Sequence, residues 1–462
     1  MVTQPGQTPP TDMPTDPRAV IRSRSYLQAL VLAALLGVPI AVVAYGFLAL
    51  VDWLQEYLFT ELPGDLGFSS IPSWWPIPLL VLSGALVALC ISYLPGTSGH
   101  SPAEGFKPGR AALPIELPGI VLAALATLAL GAVLGPEAPL IALGGGLGAL
   151  AVRLLKPDAP PSATAIIAGA GSFAAIATLI GSPLIAAFLL MEASAAAGAM
   201  MGVALLPGLL AAGVGALIFV GLNNITGLGT FSLALTDLPP FTTPTAGMVG
   251  WAIVFGLGCP LLAWGVRSIA LSVRPYVHSH RMIVTPTLGL LIAVLAIAFA
   301  SVTDKDTSDV LFSGQNALPQ LVSQASTWSI GALVLLIVCK ALAYALSLSA
   351  FRGGPIFPAL FIGGAIGVIG SHLPGMSLVP ALAIGLGAMT VSMLGLPFTS
   401  VMLATLLLSS DQAAVMPLAV VSVVVAHVVM QRLPEPRSLL VDSTRARQVG
   451  AVGAGGPAAP TS

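Results

Sequence analysis

Gly135-Pro136-Glu137-Ala138-Pro139 and, 219 residues later, Gly354-Pro355-Ile356-Phe357-Pro358 are the stretches whose reading decides the fold of this chain. The first sets a carboxylate between two prolines in an apolar chain that holds only 18 acidic residues. An ionisable group at membrane depth is costly to desolvate, so Glu137 is a functional candidate from the outset. Two matched helix breaks predict a duplicated transporter with a binding site where helices are interrupted.

Composition supports the membrane setting. Of 462 residues, 56% are apolar and 8% charged, and the mean hydropathy is +0.98; ordinary soluble domains carry roughly 25% charge. Apolar segments recur from Tyr26 to Met430 without a long polar insertion, which predicts one polytopic membrane domain over about residues 25–440. A net charge of −1 supplies no electrostatic footprint for nucleic acid. Cys90, Cys259 and Cys339 stand singly in apolar surroundings and read as small core residues. No cofactor fingerprint or metal-ligand spacing is present in the sequence; His278 and His280 lack a carboxylate in their own loop.

The ends, 1–24 and 441–462, are rich in Pro, Thr, Gln, Gly and Ala and are expected to be disordered tails. Leu27 to Val51 is a retained span preceded by Arg18, Arg22 and Arg24, so the chain is expected to begin in the cytoplasm. Loop charges then alternate. Asp52, Glu56, Glu61 and Asp65 mark an outer loop, Lys107 and Arg110 an inner one, Arg267, Arg274 and Arg281 a second inner one, and Asp304, Asp306 and Asp309 an outer one. Arg432, Arg437, Arg445 and Arg447 place the C-terminus inside, so the expectation is an even number of crossings in the plasma membrane with both termini cytoplasmic.

Several apolar stretches are shorter than the roughly 20 residues of a simple span and end at Gly or Pro: 117–134, 138–152, 165–180, 183–193, 357–370 and 398–409. They predict half-helices and tilted helices. Lipid cannot satisfy a broken backbone, so the breaks must be buried in protein or line a watery cavity. The duplication is explicit: at one offset, Gly135, Pro136, Pro139, Gly144, Gly145 and Gly148 superpose on Gly354, Pro355, Pro358, Gly363, Gly364 and Gly367. Downstream, Gly169 and Gly171 align with Gly385 and Gly387 at 216, and Gly181-Ser182-Pro183 with Gly395-Leu396-Pro397 at 214. The charge pattern starts the halves, about 25–235 and 245–435, on opposite sides. The fold class is therefore an all-α polytopic membrane protein built as an inverted internal repeat with broken and tilted helices.

Converging helix N-termini offer unpaired N–H groups and about half a positive charge each, which favours an anion without any cationic side chain. Pro139 and Pro358 fit first-turn positions, where a missing N–H costs little.

These motifs resemble the CLC family of chloride channels and chloride/proton antiporters. The resemblance rests on Pro139 preceded by Gly-x-Glu-x, on Gly-Gly-x-x-x-Pro at 353–358 and on the Ser/Gly/Pro break at 96–102, and it covers about 25–435. It implies a homodimer with one chloride pathway per subunit, and protons as a second transported species in the antiporters. Glu137 matches the gating glutamate, whose carboxylate competes with the anion and swings away on protonation. Backbone amides near Gly135 and Ala138, and those of Ile356 and Phe357, would line the anion site. Departures are equally specific. Pro136 and Ala138 stand where the family has a basic residue and Gly; the ion-facing serine position falls on Gly99, with Ser98 or Ser101 as substitutes; and Tyr344 is the last tyrosine, so the late anion-coordinating tyrosine has no counterpart. Glu192 aligns with the first of two adjacent family acids while Ala193 replaces the second, the internal proton-transfer glutamate. Glu192 is thus either a substitute proton carrier or a carboxylate at a helix end or subunit interface.

Lys340 and Arg352 flank the apolar run before the second break and either concentrate anions or play a structural part, snorkelling to the interface or bonding to carbonyls; the structural reading is favoured. His100 is a candidate for tuning pore entry near neutral pH; His427 and Asp411 read as packing or helix-end residues. The functional expectation is chloride transport through a channel-like or weakly coupled pathway. The alternatives are a proton-coupled chloride or fluoride antiporter, a carrier of an organic anion, and an intramembrane enzyme using Glu137 and Glu192. That last class lacks any His-Glu-x-x-His or Gly-x-Ser-x-Gly motif.

Overall fold

Apolar runs punctuated by Pro and Gly become helices, and the punctuation becomes their ends. The computed structural model describes residues 17–105, 112–193, 201–229, 231, 233, 235, 238–408 and 412–436. The first half contains α1 (Arg24–Glu56), α2 (Pro76–Tyr93), α3 (Leu117–Ala129), α4 (Glu137–Leu155), α5 (Pro161–Ile180), α6 (Pro183–Ala193) and α7 (Met201–Thr226). The second contains α8 (Ala246–Ser279), α9 (Arg281–Thr303), α10 (Ile330–Ala350), α11 (Ile356–Gly370), α12 (Leu378–Leu394), α13 (Pro397–Leu406) and α14 (Gln412–Arg432). Among the described residues, nine helices are long and apolar enough to cross a membrane, and α3, α6, α11, α12 and α13 are shorter apolar helices.

The halves repeat each other in packing as well as in order. α4 packs on α5 as α11 packs on α12; α5 on α7 as α12 on α14; α1 on α7 as α8 on α14; and α3 leads into α4 as α10 leads into α11. Small residues allow these approaches. A Cβ on Gly148 would lie 2.7 Å from the Ile167 carbonyl, and one on Gly367 would lie 2.8 Å from the Ala381 carbonyl. Gly144 likewise abuts Gly171, and Gly363 abuts Gly385. Both α5 and α12 end on a left-handed glycine, Gly181 at φ 70° and Gly395 at φ 73°, the backbone region where a Cβ is penalised. The halves meet across α2 and α9, where Gly84 lies against Thr285 and Pro286 and Gly289 against Leu80 and Val81.

Four expectations change. The structural partner of Gly171 is Gly385, so the α5/α12 equivalence holds at 214 throughout and the 216 alignment is displaced by one glycine pair. The stretches 138–152 and 165–180 lie in helices of 19 and 20 residues, long enough to span, because Arg153 and Ser162 to Thr164 extend them beyond the purely apolar core. Arg267 and Arg274 lie within the helix α8 rather than in a loop. Its 34 residues would measure roughly 51 Å at 1.5 Å per residue, beyond a hydrocarbon core of about 30 Å, so its polar end can leave the bilayer. The tail expected to be disordered over 1–24 contains a helical turn at Pro17–Ile21, and α1 begins at Arg24 under the Ser23 cap. Residues 1–16 and 441–462, and the readings made for Lys107, Arg110, Asp411, Arg437, Arg445 and Arg447, lie outside the described residues.

Candidate anion site at the paired helix breaks

The break between α3 and α4 is buried from Gly131 to Glu137, so its backbone groups need partners inside the protein. The other half supplies them. Gly135 N–H donates to the Gly354 carbonyl at 2.8 Å and Gly354 N–H returns the bond to Gly135 at 2.6 Å, an isolated antiparallel bridge between the two motifs. Two residues earlier in each motif the exchange is repeated with side chains as acceptors. Val133 N–H donates to Ser347 Oγ at 3.0 Å, and Arg352 N–H donates to Thr127 Oγ1 at 3.2 Å. Each hydroxyl in turn donates to the carbonyl four residues back in its own helix, Ala343 and Ala123, both at 2.8 Å. Equivalent residues thus exchange equivalent bonds, as an approximate two-fold relation between inverted halves requires.

This junction brings two helix N-termini together. Pro136 caps α4 and Pro355 caps α11, placing Pro139 and Pro358 at the third helical position of each. There the missing N–H would have had no intrahelical acceptor. Glu137, the first residue of α4, is fully buried. Its Oε1 accepts the Phe357 N–H of α11 at 2.8 Å, and the amides of Glu137 itself and Ile356 face the same carboxylate. Oε2 is buried without a hydrogen-bond partner. Gly135 and Gly354 make the room: a Cβ on either would lie 2.6 Å from the carboxyl carbon. Glu137 therefore occupies a site made of backbone donors, the chemistry that suits a small anion.

The structure brings Gly135, Glu137, Ala138, Ile356 and Phe357 together, with Ala138 at the second position of α4. Ser98, Gly99 and Ser101 lie in a separate irregular segment between α2 and α3. Ser98 is buried at φ 55° with an Oγ that has no partner, Gly99 takes φ 94°, and Ser101 precedes the turn Pro102–Glu104. Of the three, Ser98 offers a free buried hydroxyl.

Glu192 sits away from this junction, near the C-terminal end of α6. Its Oε1 accepts Phe398 N–H at 3.0 Å, and its Oε2 accepts Thr399 N–H at 2.9 Å and Thr399 Oγ1–H at 2.7 Å. The carboxylate caps the N-terminus of α13, a role that complements the helix dipole. Lys340 follows its carbonyl reading: Nζ donates to Asp309, Val310 and Leu311 carbonyls at 2.9, 3.2 and 3.0 Å and lies 4.1 Å from the Phe361 ring centroid. Arg352 does the same, with Nε and Nη2 each 3.3 Å from the Thr97 carbonyl and Nη1 3.2 Å from that of Phe351. It ties the second break to the Ser98 segment. Near them Glu104 pairs with Arg274, and His100 Nε2 lies 3.4 Å from Glu104. His427 Nδ1 is buried without a partner.

Sequence reasoning missed the hydroxyl exchange and the Tyr344 hydroxyl, which donates to the Pro355 carbonyl at 2.8 Å. Thr127 lies eight residues before Gly135 and Ser347 seven before Gly354. That one-residue difference hides the pair from a comparison at fixed offset.

Inverted halves, broken helices and a backbone-lined site at their junction define a multi-pass membrane protein of the transporter or channel class. The family model for voltage gated chloride channels matches residues 106–431, and the chain belongs to that family. Among curated relatives, YfeO of Salmonella paratyphi A, named for ion transport, is 28% identical over 359 residues, covering 75% of this chain and 81% of its own length. YfeO of Escherichia coli O7:K1 is 28% identical over 365 residues, covering 76% and 81%. A crystal structure described as a slow cyanobacterial Cl−/H+ antiporter shares the fold with a TM-score of 0.71 at 20% identity, over 91% of this chain and 99% of the other. A CLC-type fluoride/proton antiporter shares it with a TM-score of 0.61 at 18% identity, over 88% and 97%.

Proposed function

We propose that this protein moves a small inorganic anion, chloride first, across the plasma membrane and that Glu137 is its protonatable gate. The observation that carries this reading is the Glu137 carboxylate seated on the Phe357 amide. An ionised carboxylate holds a backbone donor by a charge-assisted bond, stronger than a neutral group makes. Protonation removes that charge and weakens the hold, so the side chain leaves and an anion takes the place of Oε1 at the α11 N-terminus. Ile356, Phe357, Gly135 and Ala138 contribute backbone to the site, and Ser98, with Gly99 and Ser101 beside it, belongs to a further stretch of the pathway. The working unit is a homodimer with one pathway in each subunit and both termini in the cytoplasm; the transport domain spans about 25–440.

We read the pathway as channel-like or weakly coupled to protons. Ala193 replaces the second acid of the motif, and the Glu192 carboxylate, which would be the substitute carrier, is held by three donors of α13. The two structural neighbours, described as antiporters, favour the alternative in which chloride or fluoride exchanges for protons. Purified protein in liposomes under a chloride gradient separates the two. Our reading expects anion flux with little or no proton movement against its gradient; stoichiometric uphill proton uptake would establish exchange instead.

A further inference from the structure

Among the positions at which the halves differ, two place a buried polar side chain on the N-terminus of α11. Glu137 has Ile356 as its counterpart, and Tyr344 has Ala124, counted from the matched pairs Ala123/Ala343 and Thr127/Ser347. These two asymmetries act on the same helix end. Glu137 accepts the Phe357 N–H of α11, and Tyr344 grips the carbonyl of the peptide just before it, the one that carries the Ile356 N–H. In the first half the capping carbonyl of Pro136 accepts Leu140 N–H at 3.0 Å, an ordinary helical bond. In the second half the Pro355 carbonyl accepts the Tyr344 hydroxyl at 2.8 Å. Tyr344 is fully buried and is the largest fully buried side chain among the described residues.

The Pro355 carbonyl and the Ile356 N–H belong to one planar trans peptide, in which C=O and N–H point in opposite directions. Holding the oxygen therefore aims the hydrogen. We propose that Tyr344 is a positioning residue for the anion site: its hydroxyl fixes the Pro355–Ile356 peptide so that the Ile356 N–H faces the position shared by the gate carboxylate and the transported anion. Without that bond the peptide can rock, and a tilted carbonyl oxygen would turn negative charge toward the site. The first half needs no such brace, because its α4 amides follow a cap closed by its own helix. This proposal rests on the anion-site reading above and names the residue that tunes it.

The test measures chloride binding to detergent-purified protein by titration calorimetry in a Glu137→Gln background, where the competing carboxylate is absent. Removing one aligned neutral donor from a buried site is expected to weaken chloride about three- to ten-fold in Glu137→Gln/Tyr344→Phe relative to Glu137→Gln. The half-saturating chloride concentration for flux should rise by the same factor. Ser392→Ala in the same background is the control: it removes a buried hydroxyl that donates to the Ala388 carbonyl of its own helix α12 and does not touch this peptide, and should leave affinity unchanged. Should the Phe variant not yield monodisperse protein, Tyr344→Met fills the space without a hydroxyl and carries the same expectation. Equal chloride affinity with and without the Tyr344 hydroxyl, even alongside a lower melting temperature, would reduce Tyr344 to a packing residue. If Glu137→Gln itself binds neither chloride nor fluoride, the anion-site reading falls first and the Tyr344 role with it.

Discussion

At the scale of single residues, the junction turns on two buried polar groups, the Glu137 carboxylate on the Phe357 N–H and the Tyr344 hydroxyl on the Pro355 carbonyl. Asp309 is a further case. It reads as one of three acids in an outer loop, yet burial pushes its carboxyl up to about 6, opposed chiefly by Lys340, with Asp306 raising it and Lys305 lowering it further. The sign of its effect on stability follows. A carboxyl whose folded value exceeds the ordinary one near 4 binds its proton more tightly when folded, so its contribution is present at low pH and is lost as pH rises toward about 6. Thermal unfolding of wild type and Asp309→Asn should therefore coincide in pH dependence below about 4. The variant should gain relative stability between there and 6, and the difference should stay flat above. A constant difference across that window would remove Asp309 as the source.

At the scale of elements, the repeat was visible because Gly and Pro mark helix ends and close crossings, and such marks survive when the intervening apolar residues drift. Lengths were less legible. Polar residues at the ends of α4 and α5 looked like loop, and the arginines of α8 looked like a boundary, since hydropathy follows the bilayer whereas the helix follows its hydrogen bonds. Glu192 shows the same limit: its place near the end of α6 was readable, but its use as a cap for α13, 207 residues away from Thr399, was not. If capping is its work, Glu192→Ala should lower stability by about 1–2 kcal/mol and leave the pH dependence of anion flux unchanged. A flux profile that loses its acid limb in Glu192→Ala would return this residue to the proton pathway.

For the whole molecule, neither half contains the site. The Gly135–Gly354 bridge, the Thr127 and Ser347 exchanges and the Gly84–Gly289 crossing all join one half to the other, so the chain must close around its own two-fold before the two N-termini meet. The duplication supplies a symmetric frame, and the proposed gate and its proposed brace stand where that symmetry is broken, Glu137 opposite Ile356 and Tyr344 opposite Ala124. In the proposed mechanism this one carboxylate competes with the anion for the α11 amides. Chloride efflux from proteoliposomes, followed from pH 4 to pH 8 for wild type and Glu137→Gln, tests it most directly. Competition predicts wild-type flux that climbs as pH falls and Glu137→Gln flux that is high and flat across the range; a variant whose flux keeps the wild-type pH dependence would contradict it.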